Sequence, residues 1–216
     1  MSSSATTEVD LANMALTMLG QQPINDLTDN NNRANLVDKR LADVRDSVLR
    51  AHQWNCCIKR ASLSKDATAP VWGFSGRYQL PTDFIRIVSL ENDAVEYRIE
   101  AGNQGDTPEL YIVTDSEDMN ILYVANITDV SQMDSSLKQA VATRLAADIA
   151  VAVTGDTAQE AAMMQKYELL LMEARFEDSV AHSSLETIRG GEWISSRLGG
   201  GTFRSFTSLD GDGAPL

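Results

Sequence analysis

Histidine and cysteine side chains can act as nucleophiles and as metal ligands, and this chain holds three of them close together. His52, Cys56 and Cys57 lie within six consecutive positions. On a helix, His52 and Cys56 would share one face, where an imidazole could activate a thiol or both side chains could bind a metal ion. However, Trp54 lies between them at the end of an apolar segment, and a buried cysteine commonly serves as a small apolar residue. This structural interpretation is favoured, so no catalytic residue is predicted here.

Two groups of carboxylates could hold a divalent cation or transfer protons. Asp115, Glu117 and Asp118 share one predicted turn, and Asp210 and Asp212 share another. Neither group has the ligand spacing and closing glutamate of a calcium-binding loop. Acidic turns are commonly only solvated. The sequence therefore predicts no enzyme, no metal site and no cofactor.

An ion pair is predicted in the second half of the chain. Arg144 and Asp148 lie four positions apart in a predicted helix, beside its apolar stripe. Side chains at this spacing are neighbours on a helix surface. A pair within the helix is the favoured interpretation, and an ion pair between subunits is the alternative.

The N-terminal helices are marked by caps and by apolar residues at helical spacing. Thr7 and Asp10 match a capping box before a first helix that is capped at Gly20. A second helix is predicted to begin near Arg33 and to close at Trp54. Its apolar stripe consists of Val37, Leu41, Val44 and Val48.

In the middle of the chain the hydrophobic pattern has the two-residue period of β-strands. Between residues 75 and 128 the apolar residues alternate, and β-branched and aromatic residues become frequent. Residues 101–108 are predicted to be a loop and residues 114–118 a hairpin turn. We expect an antiparallel meander. Its strands are predicted at residues 77–80, 84–90, 95–99, 109–113 and 120–127.

Helical patterning returns after Asp129. One apolar stripe ends at Gly155, and residues 157–160, Thr-Ala-Gln-Glu, match a capping box for a long helix that reaches about residue 180. The turn between these helices is short, so we expect an antiparallel hairpin. The first stripe consists of Leu137, Val141, Leu145, Ile149 and Ala152, and the second of Ala161, Met164, Tyr167, Leu171 and Ala174.

Composition excludes several classes of function. The 216 residues include 31 acidic and 18 basic side chains, a formal net charge of −13, and 43% hydrophobic residues. This acidity argues against a free-standing DNA-binding module, because phosphate affinity comes mainly from lysine and arginine. The hydrophobic content supports a folded core. We expect no membrane span, since no apolar stretch is long enough, and no signal peptide.

The last part of the chain combines glycine clusters with separate large apolar residues. From residue 189 onward no helical or strand period is present, yet a plain Gly/Ser linker would lack large apolar side chains. We interpret residues 189–216 as an extended arm that gains order on a partner surface. Its predicted anchors are Trp193, Ile194, Leu198, Phe203, Phe206 and Leu209.

Several short sequence motifs, in the order in which they occur, resemble those of one protein family. Residues 16–20, Leu-Thr-Met-Leu-Gly, precede residues 23–27, Pro-Ile-Asn-Asp-Leu. A long helix closing at Trp54 follows, then the strand entry Tyr-Gln-Leu-Pro-Thr-Asp-Phe-Ile-Arg-Ile at residues 78–87. The last element of this order is the pair of predicted helices at residues 137–181. Residues 9–185 are in this respect similar to tail tubular protein A, the portal-docking head-to-tail adaptor family of short-tailed bacteriophages (podoviruses).

The resemblance implies a structural virion protein with no catalytic residues. Members of the family form a ring of about twelve copies between the portal and the tail nozzle. The implied partners are the portal protein ring, the tail nozzle protein and further copies of the chain, with DNA passing through the lumen without sequence-specific binding. The implied location is the connector between head and tail in the virion. By position, the portal-binding extension of the family maps to residues 189–216.

The predicted fold class is α+β. We expect an antiparallel bundle of about four helices, with a small antiparallel β-sheet domain inserted between helices 2 and 3. The expected division is residues 1–62 for the N-terminal helices, 63–130 for the inserted β domain, 131–188 for the C-terminal helical hairpin, and 189–216 for the extended C-terminal arm.

Three other functions stay open. A head-completion or connector protein of a long-tailed phage has a similar helical core, although the β region favours the short-tailed adaptor. A free binding module would use the arm to capture a host protein. A hydrolase or metal enzyme would be built around His52, Cys56 and Cys57, and serine replacements of both cysteines would then abolish activity.

Overall fold

The computed structural model describes residues 7–104 and 107–186. Within them the chain is α+β, as predicted, with four α-helices and two small antiparallel sheets. The helices are α1 (Glu8–Met18), α2 (Asn32–Ala51), α3 (Ser135–Thr154) and α4 (Thr157–Glu186). Six strands lie between α2 and α3 in the sequence: β1 (Ile58–Leu63), β2 (Gly76–Gln79), β3 (Phe84–Leu90), β4 (Tyr97–Gln104), β5 (Thr107–Thr114) and β6 (Met119–Ala125).

The chain divides into two units, residues 1–175 and 176–216. The described part of the first unit contains α1 to α3, both sheets, and α4 as far as Arg175. The described part of the second unit is the remainder of α4, residues 176–186.

The predicted capping box of α1 is confirmed. The Asp10 amide donates to the Thr7 hydroxyl, and the Thr7 amide donates to the Asp10 carboxylate at 2.8 Å. These hydrogen bonds from Thr7 lower the pKa of Asp10. After α1 the chain turns at Gly20, whose φ of 68° is a conformation that favours glycine.

α2 buries its predicted stripe but is shorter than predicted. The helix ends at Ala51, and His52 is already extended. The Trp54 indole donates back to the carbonyl of Val48 at 3.0 Å, so this tryptophan covers the last turn instead of extending it. The prediction of a helix that continues to Trp54 is therefore wrong. The stripe is confirmed, since its members are all buried: Val37, Leu41, Val44 and Val48.

The strands pair into two sheets and not into one meander. The inner sheet has the order β1–β6–β3, the outer sheet has the order β2–β5–β4, and every pairing is antiparallel. The predicted meander is wrong because β2 and β3, and likewise β5 and β6, follow each other in sequence but lie in different sheets. Residues 114–118 are accordingly a crossing between sheets. Strands also occupy most of the predicted loop at residues 101–108.

The inner sheet is the middle of three layers. One face, with Ile85 and Val124, joins the hydrophobic core of the helices. The other face, with Ile121 and Tyr123, packs with Ile112 of the outer sheet in a second core. The outer sheet therefore has one face toward the protein and one face away from it.

α3 and α4 contribute to the helical core. Gly155 ends α3 with a φ of 73°. α4 begins at Thr157, and the Asp156 carboxylate accepts a hydrogen bond from the Ala158 amide at 2.8 Å. The predicted capping box is wrong by one residue, because Thr157 is already helical. The buried members of the two predicted stripes are Leu137, Val141, Leu145, Ile149, Tyr167, Leu171 and Ala174; Ala152 and Ala161 are exposed.

Candidate functional site

The predicted portal-binding anchors lie outside the described residues. The same holds for the acidic pair Asp210 and Asp212. The arm therefore stays a prediction, and the candidate surfaces below come from the described residues. The anchors concerned are Trp193, Ile194, Leu198, Phe203, Phe206 and Leu209.

The His52, Cys56 and Cys57 cluster lies where α2 meets β1. The His52 ring packs edge-on against Trp54, with ring centres 4.9 Å apart. His52 and Cys56 do not share a helix face, because the chain is extended at His52 and forms a 3₁₀ turn at Asn55–Cys57. Cys57 is buried in the helical core, which agrees with the structural interpretation of this cluster.

The two thiols differ in their electrostatics. Their sulfur atoms are 3.6 Å apart. The hydrogen bond from Cys57 lowers the pKa of Cys56, whereas the same contact together with burial raises the pKa of Cys57. Among the described residues, no group of three or more His, Cys, Asp or Glu side chains is placed to hold a metal ion.

The acidic turn at residues 114–118 is organised by hydrogen bonds to its backbone. The Tyr78 hydroxyl donates to the carbonyls of Ser116 and Glu117, at 2.6 and 2.8 Å. The Asp115 carboxylate accepts a hydrogen bond from the Ser75 amide at 2.8 Å. These contacts give Tyr78 and Asp115 a structural role at the crossing between the two sheets.

Asp148 pairs between helices and not within α3. Arg40 of α2 donates to both of its carboxylate oxygens, at 2.5 and 2.9 Å. This contact with Asp148 raises the pKa of Arg40. Arg144 instead contacts the sulfur of Met164, and its guanidinium lies 5.8 Å from the ring centre of Tyr167. The favoured prediction of an Arg144–Asp148 pair is wrong, and the ion pair joins α2 to α3.

Asp83, in the Leu-Pro-Thr-Asp-Phe phrase, ties the strands of the inner sheet together. Its carboxylate accepts hydrogen bonds from Lys59 of β1 at 2.8 Å and from the Tyr123 hydroxyl of β6 at 3.0 Å. Its backbone carbonyl accepts the Asn126 amide at 2.6 Å. The phrase therefore has a clear structural use, because it anchors the start of β3 to both other strands.

The electrostatics of this site follow from the same contacts. Partial burial works to raise the pKa of Asp83, but the hydrogen bonds from Lys59 and Tyr123 outweigh it and hold that pKa below its ordinary value. Burial, with a smaller effect of Asp83, raises the pKa of Tyr123 to about 12. The site therefore favours a charged carboxylate beside a neutral phenol.

The outer face of α4, formed by Leu169 and Met172, is apolar and exposed. These side chains are 62% and 58% exposed. Tyr167 and Leu171 on the same helix are buried in the helical core. The sequence signal was the run Leu-Leu-Leu-Met at residues 169–172, because successive residues point about 100° apart and four in a row encircle a helix. The predicted stripe accounts for one side of α4 only.

The loop between β1 and β2 presents a second apolar surface. Val71 is 99% exposed and Trp72 is 83% exposed. The loop borders a groove of about 560 Å³ on the far face of the outer sheet. Sequence reasoning did not predict Val71 and Trp72 as an exposed apolar surface. The groove is lined in part by Trp72, Phe74, Arg77, Arg98, Glu100 and Tyr111.

The floor of this groove is built by Arg77 and Tyr111. Arg77 donates to Asp66 at 2.6 Å and lies over the Tyr111 ring, 4.3 Å from its centre. A Cβ atom at Gly102 would come within 2.9 Å of the same ring, so only glycine fits beside it. The Tyr111 hydroxyl is buried and has no hydrogen-bond partner in the described part of the chain. The groove thus combines exposed aromatic and charged groups suited to recognition.

No protein-family model matches the chain, and a search of curated proteins finds no match. In the described part of the chain, no helix has both the length and the apolar character that a membrane crossing requires.

Proposed function

We propose that the chain is a structural virion protein, the head-to-tail adaptor of a short-tailed bacteriophage. In this proposal copies of the chain form a ring between the portal protein and the tail nozzle protein. The ring is a conduit for DNA ejection, and DNA passes through it without sequence-specific binding. The order of sequence phrases that resembles tail tubular protein A supports the choice of family.

The observation that carries the proposal is the outer face of α4. The helical core buries Tyr167 and Leu171 on one side of α4 and leaves apolar side chains on another side in water. Leu169 and Met172, three positions apart, form a row on the exposed side. Exposed apolar rows of this kind mark contacts with other proteins, which suits a subunit held by its neighbours.

A closed ring also needs a second, different surface on each subunit. Contacts in a cyclic ring are heterologous, so one patch of a subunit meets another patch of the next. Val71 and Trp72 supply an exposed apolar surface on a separate element. These two surfaces together support a subunit with more than one neighbour.

The finer arrangement is part of the same proposal. In it, residues 1–62 and 131–188 form an antiparallel helix bundle, residues 63–130 an inserted β domain, and residues 189–216 an arm that binds the portal. The net charge of −13 suits a conduit, because an acidic lumen repels phosphate. Repulsion between like-charged subunits also opposes the ring, so we expect assembly to need the portal, salt or both.

The deciding experiment is sedimentation of the purified chain mixed with the portal ring encoded in the same genome. We expect a discrete complex with about one copy of the chain per portal subunit. No association at any salt concentration would contradict the proposal and favour a free binding module. A stable ring of the isolated chain at low ionic strength would contradict the expected need for the portal.

Variants of α4 test the observation that carries the proposal. Replacing both Leu169→Asp and Met172→Asp is expected to abolish the complex, because buried charges would replace apolar contacts. Gln165→Asp, at an exposed position of the same helix, adds a charge without removing an apolar side chain and is the matched control. Equal losses in the two proteins would mean that charge, and not apolar contact, governs assembly.

Deletion of residues 190–216 tests the arm. We expect the described helices and sheets to stay folded, as measured by circular dichroism, while portal docking is lost. Trp193→Ala or Phe206→Ala should weaken docking more than Asp210→Ala, because large aromatic side chains are the usual anchors of interfaces. Docking by the deleted protein would refute the arm as a portal-binding site.

A further inference from the structure

Four strands lie at the edges of the two sheets, and three of them are shielded. The Asp66 amide donates to the Arg77 carbonyl at 2.7 Å, so the free side of β2 is covered by the chain before it. β3 carries register shifts, which bend and twist an edge. β1 presents the exposed cation Arg60 beside Lys59, which is paired with Asp83, and cations on an edge strand oppose pairing with another strand. β4 differs, because among the described residues its free side has no covering segment, its pairing with β5 has no register shift, and its charges are of opposite sign.

The free edge of β4 has a self-complementary sequence. Successive residues alternate between faces, so Arg98 and Glu100 lie on the groove side and Tyr97 and Ile99 on the other. Arg98 and Glu100 are exposed, and within the described residues neither side chain has a hydrogen-bond or ion-pair partner. Ile99 is 43% exposed. The strand thus presents a cation and an anion that have no partner among the described residues, with an apolar side chain between them.

From this pattern we propose that β4 is a self-association edge, through which two copies of the chain pair antiparallel. Ile99 lies opposite the partner's Ile99. Arg98 then lies opposite the partner's Glu100, and Glu100 opposite the partner's Arg98. Opposing side chains in an antiparallel pair are about 5 Å apart at Cβ, so two ion pairs form on the groove side. The exposed apolar residues of both strands meet on the other side.

The charges select this register over its neighbours. Other registers also keep Arg98 and Glu100 of both copies on the same face of the sheet. The nearest one in one direction places Arg98 opposite the partner's Arg98. The nearest one in the other direction places Glu100 opposite the partner's Glu100. Like charges directly opposite each other destabilise a strand pair, and a shift that exchanges the faces separates the apolar residues.

A second copy is the occupant that this edge fits best. Charged residues on an edge strand can also serve to prevent pairing, and lysine is the usual choice for that role. One arginine and one glutamate two positions apart act differently, since each supplies the counter-charge that the other needs in a twofold pair. The contact does not depend on the proposed function, because it concerns the free chain without a portal.

A charge exchange tests the proposal in the full chain. By sedimentation equilibrium we expect the chain to dimerise, and Arg98→Glu to weaken the dimer at least about tenfold, because two attractive pairs become repulsive. Glu100→Arg should have the same effect. The double variant Arg98→Glu with Glu100→Arg should recover the affinity to within about threefold. Arg60→Glu, at an exposed arginine on an edge of the inner sheet, is the matched control and should change nothing.

Cross-linking tests the register separately. Under mild oxidation Ile99→Cys should form a disulfide-linked dimer, since opposing positions lie within disulfide range. Ala101→Cys should not, because it lies opposite the partner's Tyr97. A chain that stays monomeric at all concentrations overturns the proposal, as does a dimer insensitive to Arg98→Glu. If the double variant does not recover the affinity of the dimer, the two proposed ion pairs are ruled out. Circular dichroism of each variant separates these outcomes from unfolding.

Discussion

The helical core and the outer sheet differ in how completely they are closed. In the helical core, Leu137, Val141 and Leu145 have no exposed surface. In the outer sheet, Ile99 and Leu110 are each 43% exposed. Within the described residues, Arg98 and Glu100 of the outer sheet have no ion-pair partner, while Arg40 of the helical layer pairs with Asp148.

This difference separates stability from recognition. Burial of apolar area is the main source of folding free energy, so the helical core should carry most of the stability. Exposed apolar and charged side chains contribute little to folding but are available for contact. Substitutions in the two regions should therefore change the free energy of unfolding by different amounts.

The largest effect is expected in the helical core. Leu145→Ala leaves a cavity among fully buried side chains and should lower the free energy of unfolding by about 3 kcal/mol. Leu110→Ala, the same change at a half-exposed position of the outer sheet, should cost less than about 1 kcal/mol. Urea denaturation followed by circular dichroism measures both. Equal losses would show that the outer sheet is as tightly packed as the core.

A pair of buried tyrosines sharpens the contrast within the outer sheet. Tyr78→Phe removes the donor to two carbonyls of the crossing turn and should lower the free energy of unfolding by about 2 kcal/mol. Tyr111→Phe removes a hydroxyl that has no partner among the described residues, so it should not destabilise the chain. The same denaturation experiment compares the two. A large loss from Tyr111→Phe would mean that its hydroxyl has a partner.

The smallest effect on the free energy of unfolding is expected when acid protonates the Asp83 carboxylate. Because the pKa of Asp83 is lowered on folding, its contribution is present at neutral pH and is lost as the pH falls below about 4. Both partners are partly exposed, so the contribution should be below about 1 kcal/mol.

The control for this effect is Asp83→Asn, which cannot titrate. The difference in free energy of unfolding between the two proteins should shrink from pH 7 to pH 3. A difference that stays constant over this range would show that the carboxylate charge does not stabilise the inner sheet.

The helices were predictable because their signals are local. The capping box at Thr7 and the stripe of α2 act within a few positions of the chain, and Gly155 ends α3 where its left-handed turn requires it. The end of α2 was missed because Trp54 folds back onto Val48, a contact that depends on space around the helix. The resemblance of the Leu-Pro-Thr-Asp-Phe phrase likewise did not reveal the partners of Asp83.

The sheets were harder to predict because their pairings join distant parts of the chain. β1 is absent from the predicted strands, since Lys59 and Arg60 break its alternation, yet Ile58 pairs with Val124 of β6. For the candidate surfaces, too, the sequence shows the apolar residues but not which of them stay exposed. The run at residues 169–172 shows that α4 has apolar side chains on more than one side, but which of its sides is covered depends on the core.

Sequence alone determined that this is an acidic α+β chain, where α1, α2 and α4 begin to within one residue, and most of the buried residues in the predicted stripes. These properties follow from short-range hydrogen bonds and from the helical period. Tertiary structure decided how the strands divide into two sheets, that Arg40 and not Arg144 binds Asp148, and that β4 has a free edge. Each of these depends on which distant surfaces of the chain meet. Burial of apolar surface drives that choice, and because it is non-directional, neighbouring residues in the sequence do not specify the partner.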